Sequence, residues 1–128
     1  IGDDMKEIKI KTIVVNSEKE TTTLETIAKY DKNNGTITYH EEDLEVILTI
    51  KKNKILLSRK NEDYDLNLEF KKDSKIECKH KILSIGLILE LDVTTLKIDI
   101  NKNNIYIKYK IENHGTDMGT FEYKLIFL

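Results

Sequence analysis

Cys78-Lys79-His80 sets a thiol and an imidazole on one face of an extended segment, about 7 Å apart along it by strand rise. Both could reach one metal ion. A closed zinc site asks for four ligands, and the neighbouring sequence offers no third. The pair reads more simply as a buried cysteine beside a part-exposed histidine, and no metal or other cofactor is expected. His40-Glu41-Glu42-Asp43 gathers an imidazole and three carboxylates, which could serve general acid–base chemistry if they converged in a cleft with shifted pKa values. At a strand end successive side chains diverge, so these read as solvated turn residues. His114-Gly115-Thr116-Asp117-Met118-Gly119 reads as a flexible polar loop carrying a His–Asp pair. No serine or cysteine can be placed beside it, so a nucleophilic triad has no support. No phosphate-binding glycine loop, EF-hand or nucleophile elbow occurs. The expectation is that the chain is not an enzyme.

A second kind of chemistry belongs to polar-tipped residues in register with apolar faces: Tyr30, Tyr39, Arg59, Tyr109 and Tyr123. In a barrel, tyrosine hydroxyls and one guanidinium near an open end could orient an anionic or amphipathic ligand. Arg59 is the chain's one arginine among lysines, and it shares parity with Ile55 and Leu57. Pointing inward it would need a partner. The plainer reading has Arg59 at a strand end, snorkelling to water, with the tyrosines as amphipathic core.

The elements that must position these residues are strands. From Ile85 to Asn113 two alternating runs meet at Asn101-Lys102-Asn103-Asn104, where Asn tolerates the positive φ of a tight reversal. On the return limb Ile105, Ile107, Tyr109 and Ile111 share one face, while Tyr106, Lys108, Lys110 and Glu112 share the other. Earlier runs repeat the pattern, with Ile8, Ile10, Thr12 and Val14, then Thr22, Leu24, Thr26, Ala28 and Tyr30, facing one way. Asn34-Gly35 is the clearest turn, of the kind that takes two positive φ values. One irregularity stands out. Leu87, Leu89, Leu91 and Val93 are odd-numbered, whereas Leu96, Ile98 and Ile100 are even-numbered. A parity change across Thr94-Thr95 predicts a β-bulge or sharp bend. The nearest helical stretch, Lys19 to Lys29, holds too many threonines for a helix. Short strands with short links predict an all-β, antiparallel up-and-down (meander) barrel of about eight to ten strands.

Composition narrows the function classes. Basic and acidic residues number 21 and 23, giving a net charge of −2, and the charges are interspersed. A sequence-independent nucleic-acid binder concentrates positive charge, so a nucleic-acid role is not expected. One cysteine excludes an internal disulfide and fits a reducing compartment. No apolar run reaches membrane-spanning length and no export segment is read, so a cytoplasmic location without membrane association is expected. Residues 5–128 read as one domain, and Ile1-Gly2-Asp3-Asp4 before Met5 as a processing remnant. There is no proline and there are five glycines. Proline-free strands need edge protection, by ring closure or by outward Lys and Glu.

The order of segments resembles the YwiB-like family of small bacterial proteins with a calycin-like (lipocalin-like) β-barrel. The resemblance is carried by Glu20-Thr21-Thr22-Thr23-Leu24-Glu25-Thr26, by Tyr39-His40-Glu41-Glu42, and by the hairpin Leu48-Thr49-Ile50-Lys51 with Leu56-Leu57-Ser58-Arg59. Leu91-Asp92-Val93-Thr94-Thr95-Leu96 and Ile107-Lys108-Tyr109-Lys110-Ile111-Glu112-Asn113 complete it. One departure is that Lys81 to Gly86 lacks the proline expected in the turn before the long late strand. The resemblance implies a fold and a bacterial origin, and brings no catalytic residues.

The inner faces are crowded with Leu, Ile, Phe and Tyr, so a mostly filled barrel with a shallow mouth is expected. Two functions are carried forward. The first is a non-enzymatic binder of a small or amphipathic molecule at the mouth, through Arg59 and the tyrosines. The second is a protein-interaction module using the outer surface or an exposed strand edge, with the chain a monomer or homodimer.

Overall fold

A computed structural model of the chain describes residues 5–128; the expected remnant at residues 1–4 lies outside them. Ten strands follow one another: β1 (Met5–Val15), β2 (Thr21–Asp31), β3 (Thr36–Glu41), β4 (Leu44–Ile50), β5 (Ile55–Lys60), β6 (Tyr64–Phe70), β7 (Lys75–Ile82), β8 (Leu87–Ile100), β9 (Asn104–Asn113) and β10 (Thr116–Phe127). Each pairs antiparallel with its sequence neighbour, and β1 pairs with β10, so the sheet closes on itself. The closing ladder runs from Ile10↔Phe127 to Val15↔Glu122. This is the expected meander barrel.

Alternation along each strand decides what fills it. The waist is packed by Ile10, Val46, Leu48, Ile55, Ile105 and Ile107, all fully buried. Outward positions carry the charge.

The turns explain how a chain without proline reverses so often. Asn16 Oδ1 accepts from the backbone N–H of Glu18 and Glu20, both at 2.9 Å. Asp31 Oδ1 does the same for Asn33 and Asn34, Asn61 Oδ1 for Asp63 and Tyr64, and Asn101 Oδ1 for Asn103 and Asn104. A side-chain carbonyl thus mimics the backbone acceptor that starts a turn. This corrects the reading of the asparagines. Asn101–Asn104 contains no positive φ, and in Asn34-Gly35 only Gly35 has one, at +65°. A Cβ at Gly35 would also stand 2.7 Å from the Ile50 carbonyl oxygen.

Two irregularities differ from expectation. The β8 register passes from Thr95↔Tyr109 to Lys97↔Lys108, making Leu96 the bulged residue. Thr95 therefore continues the buried face, while Leu96, expected inside, is 47% exposed; Ile98 resumes the inner row. The parity change is real, but it falls at Leu96, because buried Thr95 keeps its hydroxyl engaged by accepting from the Lys71 N–H at 3.2 Å. The expected loop at His114–Gly119 is instead a turn at His114-Gly115, both with positive φ, and β10 begins at Thr116. Its polar start belongs to the strand, with a register shift between Asp117 and Gly119. The proline-free bend before β8 is one turn of 3-10 helix, Leu83–Ile85, ended by Gly86 in the left-handed conformation.

The ladders are not uniform. β2 meets β1 from Thr21 to Asp31, but meets β3 only through Lys29, Tyr30 and Asp31. β6 and β7 also part beyond Asn67↔Lys79. There Cys78 Sγ accepts from the Glu69 N–H at 3.4 Å and Thr95 takes the Lys71 N–H, bridging the gap with side chains.

Candidate functional site

Parity carries Arg59 inward on β5 after Ile55 and Leu57, and carries Glu41 inward on β3 after Ile37 and Tyr39. β4 lies between them. Across it Arg59 Nη2 donates to Glu41 Oε2 at 2.8 Å, with the two side chains 22% and 30% exposed. Burial works to lower the guanidinium pKa, but the charge and hydrogen bond of Glu41 outweigh it and the net direction is upward. The inward arginine has its partner and does not simply snorkel to water.

Beneath this pair the Tyr39 and Tyr123 hydroxyls meet at 2.8 Å. Tyr109 packs between Phe70, at a ring-centroid distance of 4.7 Å, and Phe121, at 5.6 Å. Burial pushes the Tyr109 phenol up to about 12. It holds Tyr123 well above its usual range, with the Tyr39 phenol adding to the effect. Tyr39 is also raised by burial, against the hydrogen bond from Tyr123. All three phenols therefore keep their protons near neutrality. They can donate and accept hydrogen bonds but do not act as bases. Arg59, Glu41, Leu66, Tyr109, Phe121 and Tyr123 line a cavity of about 260 Å³ at this end of the barrel.

Four of the five expected residues thus gather around one mouth. Tyr30 does not. It pairs with Lys6, at the far end of β1 from Val14, and lines a separate depression with Ile8, Ile37 and Phe127 at the opposite barrel end. Matching parity shows which face a residue takes, whereas its height along the axis depends on register.

The other constellations come apart. His40 points outward and is exposed, 3.9 Å from Glu45, while Glu41 turns inward. Glu42 and Asp43 form the two-residue turn, with Glu42 at φ +56°. The buried Cys78 thiol is pushed up by burial. His80 meets the Tyr64 ring edge-on at 5.4 Å, and its buried Nε2 has no hydrogen-bond partner among the described residues. Among the described residues no three metal-ligating side chains come together. Glu41 is the site residue that the sequence reading grouped wrongly. The alternation Ile37, Tyr39, Glu41 was the signal for it.

A closed antiparallel meander barrel, filled at the waist and open at a polar mouth, defines a calycin-like class of fold. Residues 8–125 match the family model described as Domain of unknown function (DUF1934), and the chain belongs to that family. Among solved structures, the ywiB protein from Bacillus subtilis is similar at 20% identity with a TM-score of 0.68, covering 99% of this chain and 97% of that one. This likeness confirms the barrel expected from the YwiB-like resemblance. No curated protein matches. No helix among the described residues is long and apolar enough to cross a membrane.

Proposed function

We propose that the chain is a non-enzymatic, cytoplasmic binding protein that takes a small amphipathic molecule at the Arg59 mouth. The observation that carries this reading is the Arg59–Glu41 pair set over an apolar cavity of about 260 Å³. Pockets that hold drug-sized molecules run from about 300 to 1,000 Å³, so this ligand is smaller. Glu41 already neutralises Arg59. A ligand head that both accepts from the free guanidinium N–H groups and donates to the carboxylate suits the site better than a bare anion. The apolar part of the ligand would lie on Leu66, Tyr109 and Phe121. Protonated phenols and a satisfied ion pair orient a bound molecule; neither supplies a nucleophile.

Native mass spectrometry of gently purified protein, set against its denatured mass, tests the reading. A reproducible non-covalent adduct is expected in the wild type, and Arg59→Ala should lose it while remaining folded. A bare wild-type mass, or an adduct that survives in the variant, overturns the reading.

A further inference from the structure

One ladder of the barrel is only part-made. Every β2 residue from Thr21 to Asp31 has a register partner on β1, but only Lys29 to Asp31 have one on β3. From Thr21 to Ile27, one edge of β2 thus presents backbone groups without a ladder partner, the usual template for pairing with another strand. Where β6 and β7 part, Cys78 on β7 and Thr95 on β8 accept from the Glu69 and Lys71 N–H groups. Along this part of β2 no such bridge is made among the described residues.

The strand edge is one wall of a groove of about 380 Å³. Thr22, Thr23 and Leu24 form that wall, and Glu41 to Leu44, with Asn61 and Tyr64, form the other. The charged residues lining it are Glu41, Glu42 and Asp43. All are acidic, and Glu41 is the one already paired with Arg59.

We infer that this groove receives an extended, lysine- or arginine-bearing segment of a partner protein, which adds a strand along Thr21–Ile27. The open edge supplies sequence-independent backbone bonds, and the acidic wall selects basic side chains. A second wall argues against a second copy of this chain, because a whole sheet edge would meet the Glu41–Leu44 turn before reaching β2. The groove shares Thr22 and Glu41 with the mouth cavity. It is recognised through backbone, however, so it goes beyond the small-ligand reading and stands or falls apart from it.

Amide hydrogen exchange followed by NMR on the whole chain tests this. In the free protein, amides from Thr21 to Ile27 should alternate between protected (toward β1) and fast (toward the groove). A pool of synthetic nonapeptides with lysine at every second position should slow the fast set by about tenfold or more. A matching pool with glutamate at those positions should not. The double variant Glu42→Lys, Asp43→Lys should lose the protection, whereas Arg59→Ala should keep it, which separates this groove from the mouth. Uniform protection in the free protein, or no effect of the lysine pool, overturns the inference. Equal protection by both pools overturns the basic-peptide assignment. Protection that grows with protein concentration alone, with a dimer mass, assigns the edge to a second copy and overturns it too.

Discussion

The buried hydroxyl pair Tyr39–Tyr123 is a bond in which each member depends on the other. At 2.8 Å and within 2% exposure, removing one hydroxyl strands its partner without water. Tyr39→Phe or Tyr123→Phe alone should each cost about 1–3 kcal/mol, the usual penalty for an orphaned polar group. The double variant should cost clearly less than the sum, since neither group is left behind. Denaturant midpoints measure all four states, and strictly additive costs would remove the shared bond from the account. At this scale the sequence was readable for direction and poor for proximity. Alternation placed Tyr39, Tyr109 and Tyr123 inside, and the structure agrees; Arg59, more plainly read as snorkelling from a strand end, turns inward to Glu41 instead. That Glu41 completes Arg59, or that Tyr30 stands at the other end, depends on strand register. Turn lengths set that register across several strands at once, and no local pattern records it.

At the scale of elements, the β8 bulge shows what one inserted residue does. Leu96 leaves the inner row so that Thr95 and Ile98 can both remain in it. Leu96→Lys should therefore change stability by no more than about 0.5 kcal/mol, as exposed substitutions do. Ile98→Lys should cost several times as much, because it drives a charge toward the core. Thermal or denaturant melts of the pair check this, and a Leu96→Lys variant as unstable as Ile98→Lys would move the bulge elsewhere. The parity break was visible in the sequence, but its position was not. Deciding it required knowing that Thr95 closes the gap between β6 and β8 by accepting from Lys71. The β10 bulge was hidden for a related reason. Its polar residues resemble a loop, while Gly119 adopts φ +113°, and a Cβ there would fall 2.1 Å from that of Ser17. Close approach to a neighbouring turn, which leaves no periodic trace, is what placed a glycine in the strand.

At the scale of the molecule, the buried phenols tie the whole barrel to pH. Tyr109 is pushed up to about 12 by burial and Tyr123 moves in the same direction, whereas an unfolded tyrosine ionises near 10. Between those values the native state holds more protons than the unfolded one, so stability falls as pH rises. The contribution is fully present below about pH 9. It is lost from about pH 10 upward, with Tyr109 alone accounting for about 3 kcal/mol. Denaturant midpoints should be flat with respect to these groups near neutrality and drop steeply in alkali, and Tyr109→Phe should soften the drop. An unchanged alkaline limb in that variant would place the sensitivity in other groups.

The ladder that joins Ile10 to Phe127 also has a consequence before the barrel exists. Every other junction is a hairpin between neighbours in sequence and can form locally and early, but this one waits for loop closure across almost the entire chain. Until then the protein is a curled ribbon with two raw margins, Ile10-Lys11-Thr12-Ile13-Val14-Val15 and Glu122-Tyr123-Lys124-Leu125-Ile126-Phe127. Both are rich in β-formers and neither is interrupted by proline. Along these two margins the hazard of sticking to another molecule therefore belongs to the newborn chain, and joining the first strand to the last removes both at once.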